Sequence, residues 1–166
     1  RVRANGSAQI PSAPVRAECH ARYRILADCK APDLPPCTQI PQPNGVVMRL
    51  SLDGVPPGDH AFHVHAVGKC EAPDFKSAGP HFNPDETKHG LMNPEGPHSG
   101  DMPNLHVPDS GRLTVEVFNE MVTLDAEQAL LDDDGSAIVV HAAADDYTTD
   151  PAGNAGDRIA CGVVTE

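Results

Sequence analysis

Basic residues are scarce in this chain of 166 residues: Lys plus Arg number 12 against 24 for Asp plus Glu, a formal net charge of −12. So negative a surface opposes general affinity for nucleic acid or anionic membranes, and neither is expected as a partner. Long hydrophobic runs are missing as well; nothing approaches the roughly 20 apolar residues that a membrane-spanning helix needs. Sustained helical periodicity, internal repeats and low-complexity tracts are all absent, which leaves a helical or repetitive architecture without support. Neither a paired CxxC framework nor an HExxH motif occurs. A cysteine-rich structural zinc site and a zinc hydrolase with its carboxylate base are both disfavoured.

What is present suffices for one folded domain. Hydrophobic residues at 39% and charged residues at 22% fit a chain with a real core. Residues 1–20, with Gly, Ser, Ala and Pro, are expected to form a mobile arm, and 21–166 a single domain. Cys19, Cys29, Cys37, Cys70 and Cys161 are scattered in a way that suits disulfides in an oxidising space, so an extracytoplasmic home, the periplasm or secretion, is expected. Their odd number leaves at least one thiol free or paired between chains. The chain opens on Arg1 without a charged segment followed by an apolar one, so any targeting peptide is expected to have been removed already.

Strand periodicity recurs along the chain. Apolar and polar residues alternate at Arg22–Ile25, at Val46–Asp53 and from Leu113 to Val117, and Ile138 and Val140 alternate with Val139 and His141 before "RIACGVV" near the end. Asn44-Gly45 tolerates the positive φ of a tight hairpin turn just before the second of these runs. Pro56-Pro57-Gly58 then turns the chain into "HAFHVHAV", in which Phe62, Val64 and Ala66 face one way and Ala61, His63, His65 and Val67 the other. Many short strands separated by Gly, Pro and Asp turns imply an all-β sandwich or barrel.

His63 and His65 therefore share a strand face and can reach one ion. HxH alone is as often a pair of ordinary strand histidines. His141 ends another strand, and alone it reads as a core or edge histidine. From Gly68 to about Asn104 the chain is rich in Gly, Pro, Asn and His and far longer than an ordinary connection. Such a stretch is either disordered or organised by something that replaces a hydrophobic core. His81, His89, His98 and Asp101 lie within it, and three imidazoles with one carboxylate make a chemically sound tetrahedral zinc site. Without further support the same four residues describe a solvated polar loop.

"HAFHVH", "SAGPHFNP", "KHG", "HSGD", "VVHAAADD" and "GNAGDRIACGV" stand in the order and approximate spacing of the copper/zinc superoxide dismutase family, which residues 45–166 resemble at every metal-ligand position. The resemblance implies an immunoglobulin-like Greek-key β-sandwich, or flattened barrel, with long metal-binding loops. It implies copper on His63, His65, His81 and His141, and zinc on His81, His89, His98 and Asp101, with a deprotonated His81 bridging the ions. Asp145 would link a copper histidine to a zinc histidine, Arg158 would receive the anionic substrate, and Cys70–Cys161 would be a disulfide. Cys29 and Cys37 could form a second bridge. The activity implied is dismutation of superoxide to dioxygen and hydrogen peroxide by redox cycling of copper, with His81 taking up and returning a proton. A copper- and zinc-binding protein without turnover is the alternative; its mark would be a missing copper ligand or arginine, and none is missing here.

His60 resembles a structural histidine beneath the site, whereas His20 and His106 fit no ligand position and are expected at the surface. Family members are monomers or homodimers. Ala61 replaces a usual Gly, "YTTDPA" (147–152) is shorter than its counterpart in many eukaryotic members, and the sequence looks bacterial. Residues 17–43 match the family's opening strands poorly.

Overall fold

Eight strands make up the described part of the chain: β1 (Arg16–His20), β2 (Val46–Asp53), β3 (Gly58–His60), β4 (Phe62–His65), β5 (Leu105–Val107), β6 (Arg112–Asn119), β7 (Ala137–His141) and β8 (Arg158–Thr165). The structure is a computed structural model that describes residues 16–20, 45–124 and 129–165. In β2, Val46, Met48, Leu50 and Leu52 are buried while Arg49, Ser51 and Asp53 are exposed, the alternation of a strand with one dry face. Six strands form one sheet in the order β4-β7-β8-β1-β2-β6, and β3 pairs with β5. Neighbours in the sheet are mostly distant in sequence, as Greek-key connections require. Buried residues of β2, β4, β5, β7 and β8 nevertheless belong to one core cluster, joined by the partly buried Leu113, Val115 and Val117 of β6. The sheet therefore wraps around its own interior as an all-β Greek-key sandwich. Among the described residues the sole helical element is a 3-10 turn at Lys76–Ala78.

The pairing of β4 with β7 decides where the histidines go. Phe62 and Val64 lie opposite Val140 and Ile138 and enter the core, which turns His63 and His65, opposite Val139 and Ala137, to the outer face with His141. That face is not left to solvent. Residues 68–79 fold over it, Phe75 and Ala78 packing with Ala137, Val139 and Cys161 in a second apolar cluster. A disulfide joins Cys70 to Cys161 across 91 residues, with Cα atoms 5.6 Å apart. Closing so long a loop removes unfolded-chain entropy worth at most about 4 to 5 kcal/mol.

The remainder of the long connection covers the free edge of β4. Val64 donates its amide to Gly100 O at 2.9 Å, and Phe82 N donates to Val64 O at 2.8 Å. Gly100 N closes the set on Phe82 O at 2.8 Å. A Cβ on Gly100 would stand 2.5 Å from Val64 O, so glycine is what permits the approach. His65 bridges to His81 and His63 to Asp101 in this arrangement. Of the two alternatives for the 68–104 stretch, the folded one holds.

Two expectations change. Arg16–His20, assigned to a mobile arm, is a strand bonded to β2 and β8, so the end of that arm is built into the sheet. The short strands β3 and β5 were not anticipated, because three residues are too few for a readable alternation. The strand expected at 22–25, residues 1–15, Asn44, Cys29 and Cys37 lie outside the described residues.

Phe62 is fully buried in the core cluster, opposite Val140 of β7. Phe62→Ala is expected to lower unfolding stability by about 3 to 5 kcal/mol, read from the midpoint of urea denaturation monitored by circular dichroism.

Candidate metal centre

His63, His65 and His141 project from the outer face of β4 and β7, and His81 reaches them from the loop along the edge of β4. One ring nitrogen of each is engaged. His63 Nε2 donates to Asp145 Oδ2 at 2.8 Å, His65 Nδ1 to Gly79 O at 2.9 Å and His141 Nδ1 to Gly156 O at 3.3 Å. These bonds fix the protons, so the opposite nitrogens carry lone pairs. Those opposite atoms, His63 Nδ1, His65 Nε2 and His141 Nε2, are buried without a hydrogen-bond partner, and so is His81 Nε2. The four residues offer ligand atoms that all lie within 4.8 Å of one another. Buried polar atoms without partners are costly, and four aimed at one locus are what a cation would satisfy.

The second group is organised around one carboxylate. Asp101 Oδ1 lies 3.1 Å from His81 Nδ1, 2.9 Å from His89 Nδ1 and 3.3 Å from His98 Nδ1. His98 Nδ1 is also 3.3 Å from His81 Nδ1. A tetrahedron of ligands around zinc at about 2.0 to 2.1 Å has edges of about 3.3 Å. The measured separations match such edges, and a single oxygen facing three imidazole nitrogens is otherwise an odd set of hydrogen bonds. His63 also comes within 4.8 Å of donor atoms of His81, His89 and Asp101, but its Nε2 is taken by Asp145 and its Nδ1 belongs to the first group. Asp101 Oδ2 accepts the amides of Gly90 at 2.9 Å and His98 at 3.0 Å, which locks the carboxylate in place.

Asp145 joins the groups: its Oδ2 takes His63 Nε2, and its Oδ1 takes His89 Nε2 at 3.1 Å. Sequence reasoning missed what holds Asp145. Asn104 donates its side-chain amide to Asp145 O at 3.0 Å and accepts Asp145 N at 2.8 Å, a reciprocal pair 41 residues apart. Gly79 O was missed too, since a backbone carbonyl leaves no side-chain signature. It accepts both His65 Nδ1 and Arg158 Nη2, the latter at 2.8 Å, while Arg158 Nη1 donates to Phe75 O at 2.8 Å. His60 is buried, with ring nitrogens 2.7 Å from His141 O and 2.8 Å from Pro56 O. It is scaffold under the first group, as expected. His106 is exposed and paired with Asp59.

Electrostatics follow from burial. Loss of hydration holds His65 down at about 2 and both His81 and His141 at about 4, and lowers His63 despite its bond to Asp145. For His89, burial also disfavours the charge, but Asp101 and Asp145 outweigh it and push the imidazole up to about 9. Although burial opposes it, hydrogen bonds from His81, His89 and His98 keep Asp101 well below the usual carboxylate range. Neutral His63, His65, His81 and His141 beside an ionised Asp101 are in the protonation states metal ligation needs, whereas His89 must give up a proton to ligate.

A family model described as copper/zinc superoxide dismutase (SODC) matches residues 37–164. This chain belongs to the copper/zinc superoxide dismutase family. Its cofactors are those of the family, copper and zinc. The chain is 55% identical over 124 residues to "Superoxide dismutase [Cu-Zn] 1" of Aquifex aeolicus, covering 73% of each chain. It is 49% identical to "Superoxide dismutase [Cu-Zn]" of Caulobacter vibrioides, covering 74% of this chain and 72% of that one. A crystal structure of a SOD-like protein from Bacillus subtilis superposes with a TM-score of 0.71 at 41% identity, covering 73% of this chain and 82% of that one. The named dismutases make the copper/zinc superoxide dismutase family an enzyme family, and the sandwich of this chain is its fold.

The lowered imidazole values carry a pH dependence for the metal-free protein. Below about pH 6.5 the unfolded chain takes protons on His63, His65, His81 and His141 before the folded one does, so stability falls as pH drops from about 6.5 to 4. His89 is protonated in both states there and does not offset the loss. Thermal midpoints of metal-free protein should therefore decline steadily across that interval; a level profile would contradict the assigned burial.

Proposed function

We propose that this protein is a superoxide dismutase in which His63, His65, His81 and His141 hold copper, His81, His89, His98 and Asp101 hold zinc, and His81 bridges the two ions. The reading is carried by four buried, partnerless ring nitrogens that converge while the outward nitrogens of three of the same rings are hydrogen-bonded. Imidazole suits copper in both of its common oxidation states, and copper when bound supplies the electron exchange that oxidises one superoxide to dioxygen and reduces another to peroxide. Zinc has no redox chemistry, and its tetrahedral demand suits three imidazoles and Asp101.

The chain's own residues handle the anion and the proton. An anionic substrate meets a protein of net charge −12, so the local field must differ from the global one. Arg158 supplies that difference, since its charge is near enough to bear on both His65 and His141. A guanidinium has five N–H donors; two bonds hold it to Phe75 O and Gly79 O, and the remaining donors are left for a small anion. His81 Nε2 is the atom at which the chain can take up a proton and return it to peroxide. Asp145 keeps the protons of His63 and His89 on Nε2, which leaves each Nδ1 to its metal. The Cys70–Cys161 disulfide supports an extracytoplasmic home.

A metal-binding protein without turnover is the competing reading, favoured by 43% identity to the "Superoxide dismutase-like protein YojM" of Bacillus subtilis, over 72% of this chain and 63% of that one. The complete quartet of histidines together with Arg158 favours the enzyme. Reconstitution with both metals is expected to give near one copper and one zinc per chain with rapid loss of superoxide; full metal loading without that loss would mean a binding protein. Arg158→Ala should lower the rate constant for superoxide about tenfold and weaken inhibition by small anions while copper content stays constant. A variant as fast as the parent would remove Arg158 from the mechanism.

A further inference from the structure

The stretch between β7 and β8 reaches the His89 region twice. Asp145 meets the imidazole of His89, and five residues later Asp150 meets its main chain: Asp150 Oδ1 accepts His89 N–H at 2.8 Å. The same oxygen lies 4.0 Å from His98 Nε2, and Asp150 Oδ2 lies 3.9 Å from Lys88 Nζ. We propose that Asp150 is a positioning residue for zinc, anchoring the backbone of His89 and supplying negative charge to the outer nitrogen of His98. The proposal rests on the reading of His81, His89, His98 and Asp101 as the zinc group.

The chemistry of His98 gives Asp150 its second role. Its Nδ1 faces Asp101 and His81, so ligation through Nδ1 leaves the proton on Nε2. A cation on Nδ1 draws electron density from the ring and makes that N–H more positive. Within the zinc group, Asp145 answers this on His89, and for His98 the carboxylate at ion-pair distance is Asp150. Separation by 4.0 Å is longer than a hydrogen bond, so the interaction is one of charge. Carboxylates behind zinc-bound histidines commonly affect metal affinity by 10- to 100-fold. The Asp150 side chain is 41% exposed, on a cleft of about 660 Å³ that His98, Asp132 and Asp134 also line, which puts the expected effect at the lower end of that range.

The backbone role is independent of charge. The amide of His89 goes to Asp150, the amide of Gly90 to Asp101, and the carbonyl of His89 accepts Asn93 Nδ2 at 3.0 Å. A Cβ on Gly90 would stand 2.1 Å from Tyr147 O, so the two segments meet backbone to backbone at this point. Asp150 thus fastens the strap that Asp145 begins.

Asp150→Asn separates the two contributions, since its amide oxygen can still accept the His89 amide while the charge is gone; Asp150→Ala removes both. Zinc dissociation constants are measured by competition with a chromophoric chelator on disulfide-intact protein, with cobalt(II) in the zinc position as a spectroscopic report. Asp150→Asn is expected to weaken zinc about tenfold and to shift the visible bands of cobalt, with the thermal midpoint of the metal-free protein unchanged. Asp150→Ala should weaken zinc further, and Lys88→Ala should not weaken it at all. Parent-like zinc binding and cobalt bands in Asp150→Asn, with loss confined to Asp150→Ala, would reduce Asp150 to a loop tether and overturn the proposal. If the parent protein takes up no zinc, or His98→Ala leaves its zinc content unchanged, the zinc reading itself fails and the proposal with it.

Discussion

Four imidazoles must be held in a dry pocket with their lone pairs turned toward one another before any ion arrives, and most of the architecture answers to that requirement. Left alone, those nitrogens would seek water or protons. Hydrogen bonds on the far side of three rings, to Asp145, Gly79 O and Gly156 O, prevent this by choosing which nitrogen keeps the proton. Each of these acceptors belongs to a loop rather than to the sheet. The loops can serve only because they are fastened in turn, by the disulfide at Cys70, by the Gly100 approach to β4 and by the Asn104–Asp145 exchange.

The same logic explains why rigid and irregular elements divide the labour. β4 and β7 set the spacing of His63, His65 and His141, a spacing that follows from the strand pleat and costs nothing further. His81 cannot come from the sheet, because it must present one nitrogen to each group. It sits instead where the long connection lies against the edge of β4. Covering that edge also removes a row of unpaired backbone groups that would otherwise invite pairing with another chain.

Legibility of these features in the sequence tracked their range. β2, β6, β7 and β8 could be read because Val46–Asp53, Arg112–Asn119, Ala137–His141 and Arg158–Thr165 alternate or run apolar over enough residues. β3 and β5 are too short for any period, and β1 carries the mixed run "RAECH" that only pairing with β2 and β8 makes a strand. The histidines and Asp101 were visible in a family order, and the structure places His63, His65, His81 and His141 in one group and His81, His89 and His98 around Asp101. Asn104, the carbonyl of Gly79 and the reach of Asp150 to His89 were not visible. They act across 14 to 79 residues through backbone groups or an unremarkable polar side chain.

Gly79 O accepts one hydrogen bond from His65, a member of the four-histidine group, and another from Arg158. A single peptide unit therefore sets both the orientation of the His65 ring and the position of the Arg158 guanidinium. For anyone seeking to re-engineer the protein, the ring and the guanidinium are consequently not separate dials at this point of the chain. A shift of the 75–79 segment moves the acceptors of both His65 and Arg158, so a change to one drags the other with it.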